Sequence, residues 1–285
     1  PSLTPTFSPS PVPQATQTAM CDMLSSMNIA TLKSCCGWSG WTCSYTNGTA
    51  TAIGLCSTTW TGVHCSNNDV TQLSLNNYNL LGSLSESIGN LMSLESFNID
   101  YTQLSGTLPL SFGNLSSLTS FSVSNSSLSG SLPSTFGNLM KLYSLQLRNA
   151  RFVGSIPASF SKLVNMENFD VYDNNFNGTV PEIFMNMVNL TYLNLEGNQF
   201  SGPLPSQLEH CSMLETIYMC ANNFTGSVPA SYGQLPMLSD LYLYANSLTG
   251  QLPDALFNNS YIGYLDVSFN ALTGSLPASL FNQSN

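Results

Sequence analysis

The sequence predicts an α/β repeat solenoid in which short parallel strands form a concave sheet. A 24-residue pattern recurs without insertion from Val70 to the end of the chain. Its first, fourth and sixth positions are apolar, and the last two alternate with polar residues, as in a strand with one buried face. A fixed period in this range is typical of stacked repeats that bury their apolar faces against one another. The nine repeats begin at Val70, Leu94, Leu118, Leu142, Met166, Leu190, Leu214, Leu238 and Ile262.

We divide the chain into three parts. Residues 1–18 are rich in Pro, Ser and Thr, which predicts a stalk or linker; the alternative is a disordered tail. Residues 19–69 contain six of the eight cysteines and predict a disulfide-stapled N-terminal cap with a short amphipathic helix from about Ala19 to Leu32. Residues 70–285 form the nine repeats, and we expect no C-terminal cap within this sequence.

The composition narrows the classes of function. Only 7% of the residues are charged, and residues 166–285 carry ten acidic residues without any Lys or Arg. Such a surface repels phosphate, so we expect no nucleic-acid partner and no binding to anionic membranes. No apolar run is long enough to span a bilayer. Clustered cysteines without a nearby histidine cluster favour disulfides and therefore an extracellular or cell-surface location.

A Cys35-Cys36 pair in the cap and a C-x₃-W-x-G-V-x-C element from Cys56 to Cys65 precede the first repeat. The repeats carry L-x-G-x-L-P, with the glycine present in all nine. The chain therefore resembles the plant-type leucine-rich repeat family of extracellular proteins, with a Cys-rich N-terminal cap. It departs from that family because Cys56 lies four residues before Trp60 rather than two. The resemblance implies a right-handed superhelix of nine 24-residue repeats.

The resemblance also implies a disulfide between Cys56 and Cys65. Two cap cysteines, Cys21 and Cys43, are additional to the family pattern. Three pairings remain open among the other four cap cysteines, which are Cys21, Cys35, Cys36 and Cys43.

The outward strand positions of the repeats change character along the chain. They are small and polar in the first repeats and become tyrosine and carboxylate from the fifth repeat onward. Tyrosines are favoured at recognition surfaces, which predicts a binding surface; the alternative is that strands favour tyrosine anyway. Stacking should place Tyr218 beside Tyr242 and Tyr172 beside Glu196. We call this predicted surface the concave strip, and it consists of Tyr172, Tyr192, Glu196, Tyr218, Asp240, Tyr242, Tyr244, Tyr264 and Asp266.

Two further positions of the repeat predict how the core is filled and how backbone groups in the turns are hydrogen-bonded. Phenylalanines at position nineteen, such as Phe112 and Phe136, should fill the convex side of the core. Asparagines at position nine should bond to the backbone of neighbouring turns. They are Asn174, Asn198, Asn222, Asn246 and Asn270, and the first four repeats have Tyr78, Thr102, Ser126 and Ala150 instead. We therefore expect the first half to be less regular.

The basic residues of the repeats are confined to the fourth repeat and the residue just before it. They are Lys141, Arg148, Arg151 and Lys162. A basic middle and an acidic second half predict a head-to-tail contact between copies of the chain; the alternative is four scattered, solvated charges.

Eight N-x-S/T sequons predict N-glycosylation, at Asn47, Asn114, Asn125, Asn177, Asn189, Asn223, Asn258 and Asn282. A glycan at Asn125 would obstruct the concave edge of the third repeat. Cys211 occupies an apolar position and should be a buried thiol. Cys220 lies at an outward position, which predicts an exposed free thiol; the alternative is an intermolecular disulfide.

The sequence carries no motif for catalysis, and we expect neither a metal nor a cofactor. Neither histidine, His64 or His210, lies on the predicted concave strands. Asp170, Asp173 and Glu196 suggest a carboxylate pair or a Ca²⁺ site, but an open sheet offers no enclosed cavity for either.

We therefore expect a non-catalytic extracellular protein-interaction module, and our first hypothesis is a glycosylated scaffold component of a larger assembly. A second hypothesis is a receptor ectodomain that binds a peptide or glycan along the concave strip. A third is a secreted inhibitor of microbial hydrolases. The expected partners are other extracellular proteins or glycans and further copies of the chain.

Overall fold

The computed structural model describes residues 13–26, 42–46, 49–53 and 62–275, with only the backbone for 42–46 and 49–53. Its main feature is a 10-stranded concave sheet. The strands are β3 (Val63–Ser66), β4 (Asp69–Ser74), β6 (Ser96–Asn98), β8 (Ser120–Ser124), β10 (Ser144–Arg148), β12 (Asn168–Asp170), β14 (Tyr192–Asn194), β16 (Thr216–Tyr218), β18 (Asp240–Tyr242) and β20 (Tyr264–Asp266). Each repeat thus contributes one strand, and β3 of the cap pairs antiparallel with β4.

The register of this sheet follows the sequence period. Ser96 pairs with Ser120, and Tyr218 pairs with Tyr242, so residues one period apart are lateral neighbours. Leu145 and Leu147 of β10 point into the core and are fully buried, whereas Gln146 between them is partly exposed. The predicted solenoid with a concave parallel sheet is confirmed.

A second, 9-stranded parallel sheet follows the concave sheet around the solenoid, and the sequence analysis did not predict it. Its strands are β5 (Leu81–Gly82), β7 (Gln103–Gly106), β9 (Ser127–Gly130), β11 (Arg151–Gly154), β13 (Asn175–Thr179), β15 (Gln199–Pro203), β17 (Asn223–Gly226), β19 (Ser247–Gly250) and β21 (Ala271–Leu272). The recurring glycine is needed here because it adopts a left-handed conformation, with φ of 78° at Gly226. That conformation directs the chain from this sheet toward the convex side.

The convex side consists of short helices, mostly 3₁₀. They are η1 (Glu86–Asn90), η2 (Leu110–Asn114), η3 (Ser134–Asn138), η4 (Ala158–Lys162), η5 (Phe184–Asn186), η6 (Ser206–His210), η7 (Ala230–Gln234) and an α-helical turn, Asp254–Asn258. Their tight stacking needs glycine at some positions, since a Cβ on Gly113 would lie 2.4 Å from the Thr135 carbonyl oxygen.

Stacked phenylalanines fill the core behind these helices. The Phe112 and Phe136 rings lie 4.9 Å apart and are nearly parallel, which confirms the predicted role of position nineteen. A second stack runs through Phe152, Phe176 and Phe200, with ring centroids 6.1 Å apart at both steps. Both stacks repeat the period of the backbone, so each ring packs against its equivalent in the next repeat.

The position-nine asparagines form a hydrogen-bonded ladder, as predicted. The Asn198 amide donates to the carbonyls of Val171, Leu195 and Glu196 at 2.9, 3.2 and 3.1 Å, and its Oδ1 accepts from the Phe176 N–H at 3.0 Å. The expected irregularity of the first four repeats is wrong. Those repeats keep the same register because the backbone bonds between adjacent strands, such as Tyr101 N–H to Ser124 O at 2.7 Å, do not require the asparagine.

An α-helix (Gln14–Ser26) packs on the first repeat, next to a two-stranded antiparallel ribbon, β1 (Thr42–Thr46) and β2 (Thr49–Ile53). Ala19, Met20, Cys21, Met23 and Leu24 are fully buried. The helix begins before the expected Ala19, and residues 27–32 of the expected helix lie outside the described residues. Most of the predicted stalk, residues 1–12, lies outside them as well.

Candidate functional site

The concave strip lies where the sequence placed it, on β14, β16, β18 and β20 and on the turns that follow β12, β14 and β18. Eight of its residues are partly buried, and Tyr264 is 66% exposed. The predicted contact between Tyr218 and Tyr242 is confirmed, because their rings are stacked at 4.7 Å with an interplanar angle of 6°. The strip is therefore a continuous surface rather than a set of scattered side chains.

Tyr192 extends this aromatic surface toward the first half of the chain. Its ring centroid lies 5.9 Å from that of Tyr218, and the two rings are tilted by 53°. The Asn194 amide donates to the Tyr192 hydroxyl at 3.2 Å, which fixes the ring along β14. Tyr192, Tyr218 and Tyr242 thus form a row of three rings across three adjacent strands.

The side chains of Glu196 and Tyr244 are hydrogen-bonded over β16, the strand between their two repeats. The Tyr244 hydroxyl donates to Glu196 Oε1 at 3.0 Å, and Cys220 lies on the intervening repeat. Cys220 is fully buried, so the expectation of an exposed thiol is wrong. Its short side chain is covered by these longer neighbours, both of which interact with the thiol. Burial raises the pKa of the Cys220 thiol to about 12.

An ion pair that the sequence analysis did not predict lies beside the tyrosines. Arg148 Nε donates to Asp170 Oδ2 at 2.6 Å; the Asp170 side chain is 0% exposed and that of Arg148 37%. Asp170 Oδ1 also accepts from the Tyr172 backbone N–H at 3.0 Å. Burial raises the pKa of Asp170, and the Tyr172 N–H and the Arg148 guanidinium oppose that shift.

These groups line a groove in the middle of the concave face, which we call the central groove. It has a volume of about 460 Å³ and extends from the second to the seventh repeat. Four residues of the concave strip line it, namely Tyr172, Tyr192, Glu196 and Tyr218. An open sheet without an enclosed cavity was expected from the sequence, and the groove is a depression on that sheet, lined by large side chains such as Tyr192 and by small ones such as Ser124.

The groove is also rich in amide side chains. They belong to Asn125, Gln146, Asn149 and Asn194. Amides both donate and accept hydrogen bonds, so this lining can match a ligand that presents both kinds of group. Burial, with neighbouring carboxylates, raises the pKa of Tyr172 and Tyr192, so both hydroxyls remain protonated at neutral pH.

The remaining residues of the strip lie beyond the groove. Asp240 pairs with Tyr264, and Tyr242 pairs with Asp266, in the register of β18 and β20. Asp266 accepts from the Ser268 hydroxyl and backbone N–H at 2.6 and 2.9 Å, and these bonds lower the pKa of its carboxyl. The structure therefore divides the predicted strip into a groove portion and an open portion.

The four basic residues do not form one patch. Arg148 lies in β10 on the concave face, Arg151 in β11 of the second sheet, and Lys162 in η4 on the convex side. Lys141 lies in the turn before β10. These four residues face different directions. They therefore do not form a single basic surface on which the acidic half of another copy could dock head-to-tail.

The predicted glycosylation residues within the described ranges are all exposed. They are Asn114, Asn125, Asn177, Asn189, Asn223 and Asn258. Asn47 and Asn282 lie outside the described residues. Asn125 lines the central groove, so glycosylation of this residue would reduce access to it.

Cys211 is buried as predicted, and burial raises the pKa of its thiol to about 12. Cys21 and Cys65 are disulfide-bonded. The side chains of the other cap cysteines, Cys35, Cys36, Cys43 and Cys56, lie outside the described residues, so the Cys56–Cys65 pairing stays a prediction.

In residues 13–26 and 62–275, no three His, Cys, Asp or Glu side chains are grouped so that they could hold a metal ion. Within the described parts of the chain, no helix has the length and apolar character needed to cross a membrane.

Comparisons with known proteins agree with the architecture. Models of the leucine rich repeat match residues 93–115, 117–139 and 140–200. No curated protein sequence matches the chain significantly.

Three solved structures are similar over most of the chain. The ectodomain of the receptor kinase GASSHO1/SCHENGEN3 from Arabidopsis thaliana is 32% identical over 81% of this chain and 31% of its own, with a TM-score of 0.74. A TDR receptor is 33% identical over 70% of this chain and 35% of its own, with a TM-score of 0.68. The plant peptide hormone receptor RGFR1 is 29% identical over 71% of this chain and 36% of its own, with a TM-score of 0.62.

The chain thus spans about a third of the length of these structures. The family models match repeats between residues 93 and 200, and the strands of the concave sheet pair in the 24-residue register of the sequence. These observations identify the chain as a leucine-rich repeat protein of the plant type.

Proposed function

We propose that the chain is the ligand-binding part of an extracellular recognition protein and that the central groove binds an extended peptide. The observation that carries this proposal is the groove itself, in which a row of tyrosines lies beside amide and carboxylate side chains. Rigid aromatic rings with nearby hydrogen-bonding groups are typical of protein recognition surfaces.

A peptide fits the groove better than a compact small molecule. An extended peptide presents N–H and C=O groups at regular intervals, and the groove offers both donors and acceptors from Asn125, Gln146 and Asn149. The groove crosses six repeats, which at about 4.8 Å per strand gives roughly 24 Å, or about seven extended residues.

The similar structures support the same class of ligand. RGFR1 is described as a plant peptide hormone receptor in complex with RGF2, and the GASSHO1/SCHENGEN3 ectodomain was crystallised with CASPARIAN STRIP INTEGRITY FACTOR 2. Under this proposal the chain is extracellular, glycosylated and non-catalytic, and it acts through binding alone. The scaffold and hydrolase-inhibitor hypotheses have less support, since the basic residues are dispersed and no described surface suggests an enzyme partner.

Peptide display tests the proposal without knowledge of the native ligand. We would select random 12-residue peptides on the wild-type chain and measure the Kd of the best by calorimetry. Tyr192→Ala and Tyr218→Ala should weaken binding by at least about tenfold, because each removes a central aromatic contact.

The matched controls are Tyr143→Ala and Tyr261→Ala, which remove exposed rings outside the groove. They should leave the Kd unchanged. Selection of no peptide, or equal losses in the controls and in the groove variants, would contradict the proposal.

A further inference from the structure

Three side chains at one end of the central groove are held in place by contacts with their neighbours. They are Tyr192, Glu196 and Tyr218, and we call them the cation subsite. Tyr218 stacks on Tyr242 at 4.7 Å, and the Tyr244 hydroxyl donates to Glu196 at 3.0 Å. The subsite is therefore preorganised, so a ligand would not have to order these side chains.

The Glu196 carboxylate can accept further hydrogen bonds besides the one from Tyr244. A carboxylate offers about four lone-pair positions, and the Tyr244 hydroxyl and the Cys220 thiol use part of this capacity. Glu196 is only partly buried and lines the groove beside the tilted rings of Tyr192 and Tyr218. Aromatic rings next to a carboxylate are an arrangement that attracts an organic cation.

The charges around the subsite favour the same ligand. From residue 166 to residue 285 the sequence contains ten acidic residues and neither Lys nor Arg. The positive charge that lines the groove, on Arg148, is paired with Asp170 at 2.6 Å. Arg148 lies on β10, two strands from Tyr192 on β14, or about 10 Å. The repulsion between Arg148 and a cation bound in the subsite is thus offset by Asp170 and reduced by the distance.

We propose that the cation subsite binds an arginine side chain of the peptide ligand. The proposal rests on the proposed function, because it assumes a peptide in the central groove. The planar guanidinium stacks on tyrosine rings and donates two parallel hydrogen bonds to a carboxylate, whereas the lysine ammonium can do neither as well. The subsite selects for arginine over other residues at one position of the peptide.

Synthetic peptides test this selectivity. The probes are four nine-residue peptides of alternating Gly and Ser that differ at the central residue, which is arginine, citrulline, lysine or glutamate. Citrulline keeps the shape of arginine and lacks the charge. On the wild-type chain, arginine should bind about tenfold more tightly than citrulline, with lysine between them and glutamate weakest.

Variants then locate the effect. Glu196→Gln keeps an acceptor for Tyr244 and should remove most of the difference between arginine and citrulline. Glu209→Gln is the matched control, since it removes the same charge from an exposed residue outside the groove, and it should leave the difference intact. Tyr218→Ala leaves the charge unchanged and should weaken the arginine peptide by several-fold.

The outcomes separate this inference from the proposed function. Equal binding of the arginine and citrulline peptides would overturn the inference. So would an arginine preference that Glu209→Gln abolishes as fully as Glu196→Gln does. In either case display-selected peptides that still require Tyr192 and Tyr218 would leave the proposed function standing. If no display-selected peptide required Tyr192 and Tyr218 either, both the inference and the proposed function would be contradicted.

Discussion

The Tyr244 hydroxyl donates to Glu196 across two repeats, and together the two side chains cover the thiol of Cys220. The two residues are 48 positions apart in the sequence, yet the solenoid places them within 3.0 Å. This bond links the open portion of the concave strip to the central groove, because Glu196 lines the groove and Tyr244 does not.

Truncation of Tyr244 should expose Cys220. Tyr244→Ala removes the ring that covers the thiol, and we expect the rate of Cys220 modification by a thiol reagent to rise by at least about tenfold. Tyr244→Phe removes only the hydroxyl and should give a smaller rise. Mass spectrometry of the labelled peptides identifies the cysteine, and Cys211 serves as the internal control. An unchanged Cys220 rate in Tyr244→Ala would show that other residues bury the thiol.

The ion pair between Arg148 and Asp170 should contribute strongly to stability. Arg148→Ala leaves the fully buried Asp170 carboxylate without its cation, which should lower the free energy of unfolding by about 3 kcal/mol. Asp170→Asn in the same chain should restore much of that loss, because it removes the uncompensated charge. Urea denaturation of the two single variants and the double variant gives the coupling. Additive losses would contradict the ion pair's role.

The asparagine ladder should be a second source of stability. Asn198→Ala deletes three donated bonds and one accepted bond at a buried residue, which should lower the free energy of unfolding by about 3 kcal/mol. Asn175→Ala, at an exposed residue of β13, is the control and should change it by less than about 0.5 kcal/mol. Similar losses for the two variants in urea denaturation would show that the ladder bonds add little.

The buried thiols predict a loss of stability at alkaline pH. Their pKa values are raised from 9.0 to about 12 in the folded chain, so the folded state retains protons that the unfolded state loses. The resulting stabilisation is complete below pH 9 and declines as the pH rises toward 12. Each thiol should lower the free energy of unfolding by up to about 1.4 kcal/mol per pH unit above pH 9.

The variant Cys220→Ser tests that explanation. It removes one of the two titrating thiols, so the decline in stability between pH 9 and pH 10 should become shallower than in the wild type. Denaturant titrations at pH 8, 9 and 10 measure this directly. Parallel pH profiles for the two proteins would mean that Cys220 does not contribute.

The repeat period was sufficient to predict the main features of the fold. Register follows from the period, so the stacking of Tyr218 on Tyr242 could be predicted from 24-residue spacing alone. Asn198 and Phe136 belong to residue types that recur at fixed positions of the repeat, so their roles could also be predicted from the period. The second sheet was missed, although Phe152 and Phe176 show that its residues also alternate between core and solvent.

The details of the site could not be predicted in this way. Strand alternation gives the side to which a residue points but not whether longer neighbours cover it, which is why Cys220 was expected to be exposed. The Arg148–Asp170 pair joins different positions of adjacent repeats, and such a diagonal contact depends on side-chain conformation. The central groove has the same origin, since it arises from the heights of side chains rather than from their order.

The central claim is that the central groove binds a peptide through its tyrosines, and tyrosine-selective NMR tests it most directly. A chain with ¹³C-labelled tyrosine rings would be titrated with a display-selected peptide. We predict saturable shifts of the Tyr172, Tyr192 and Tyr218 signals, with those of Tyr143 and Tyr261 unchanged. Shifts confined to Tyr143 or Tyr261, or binding without any shift of the groove tyrosines, would contradict the claim.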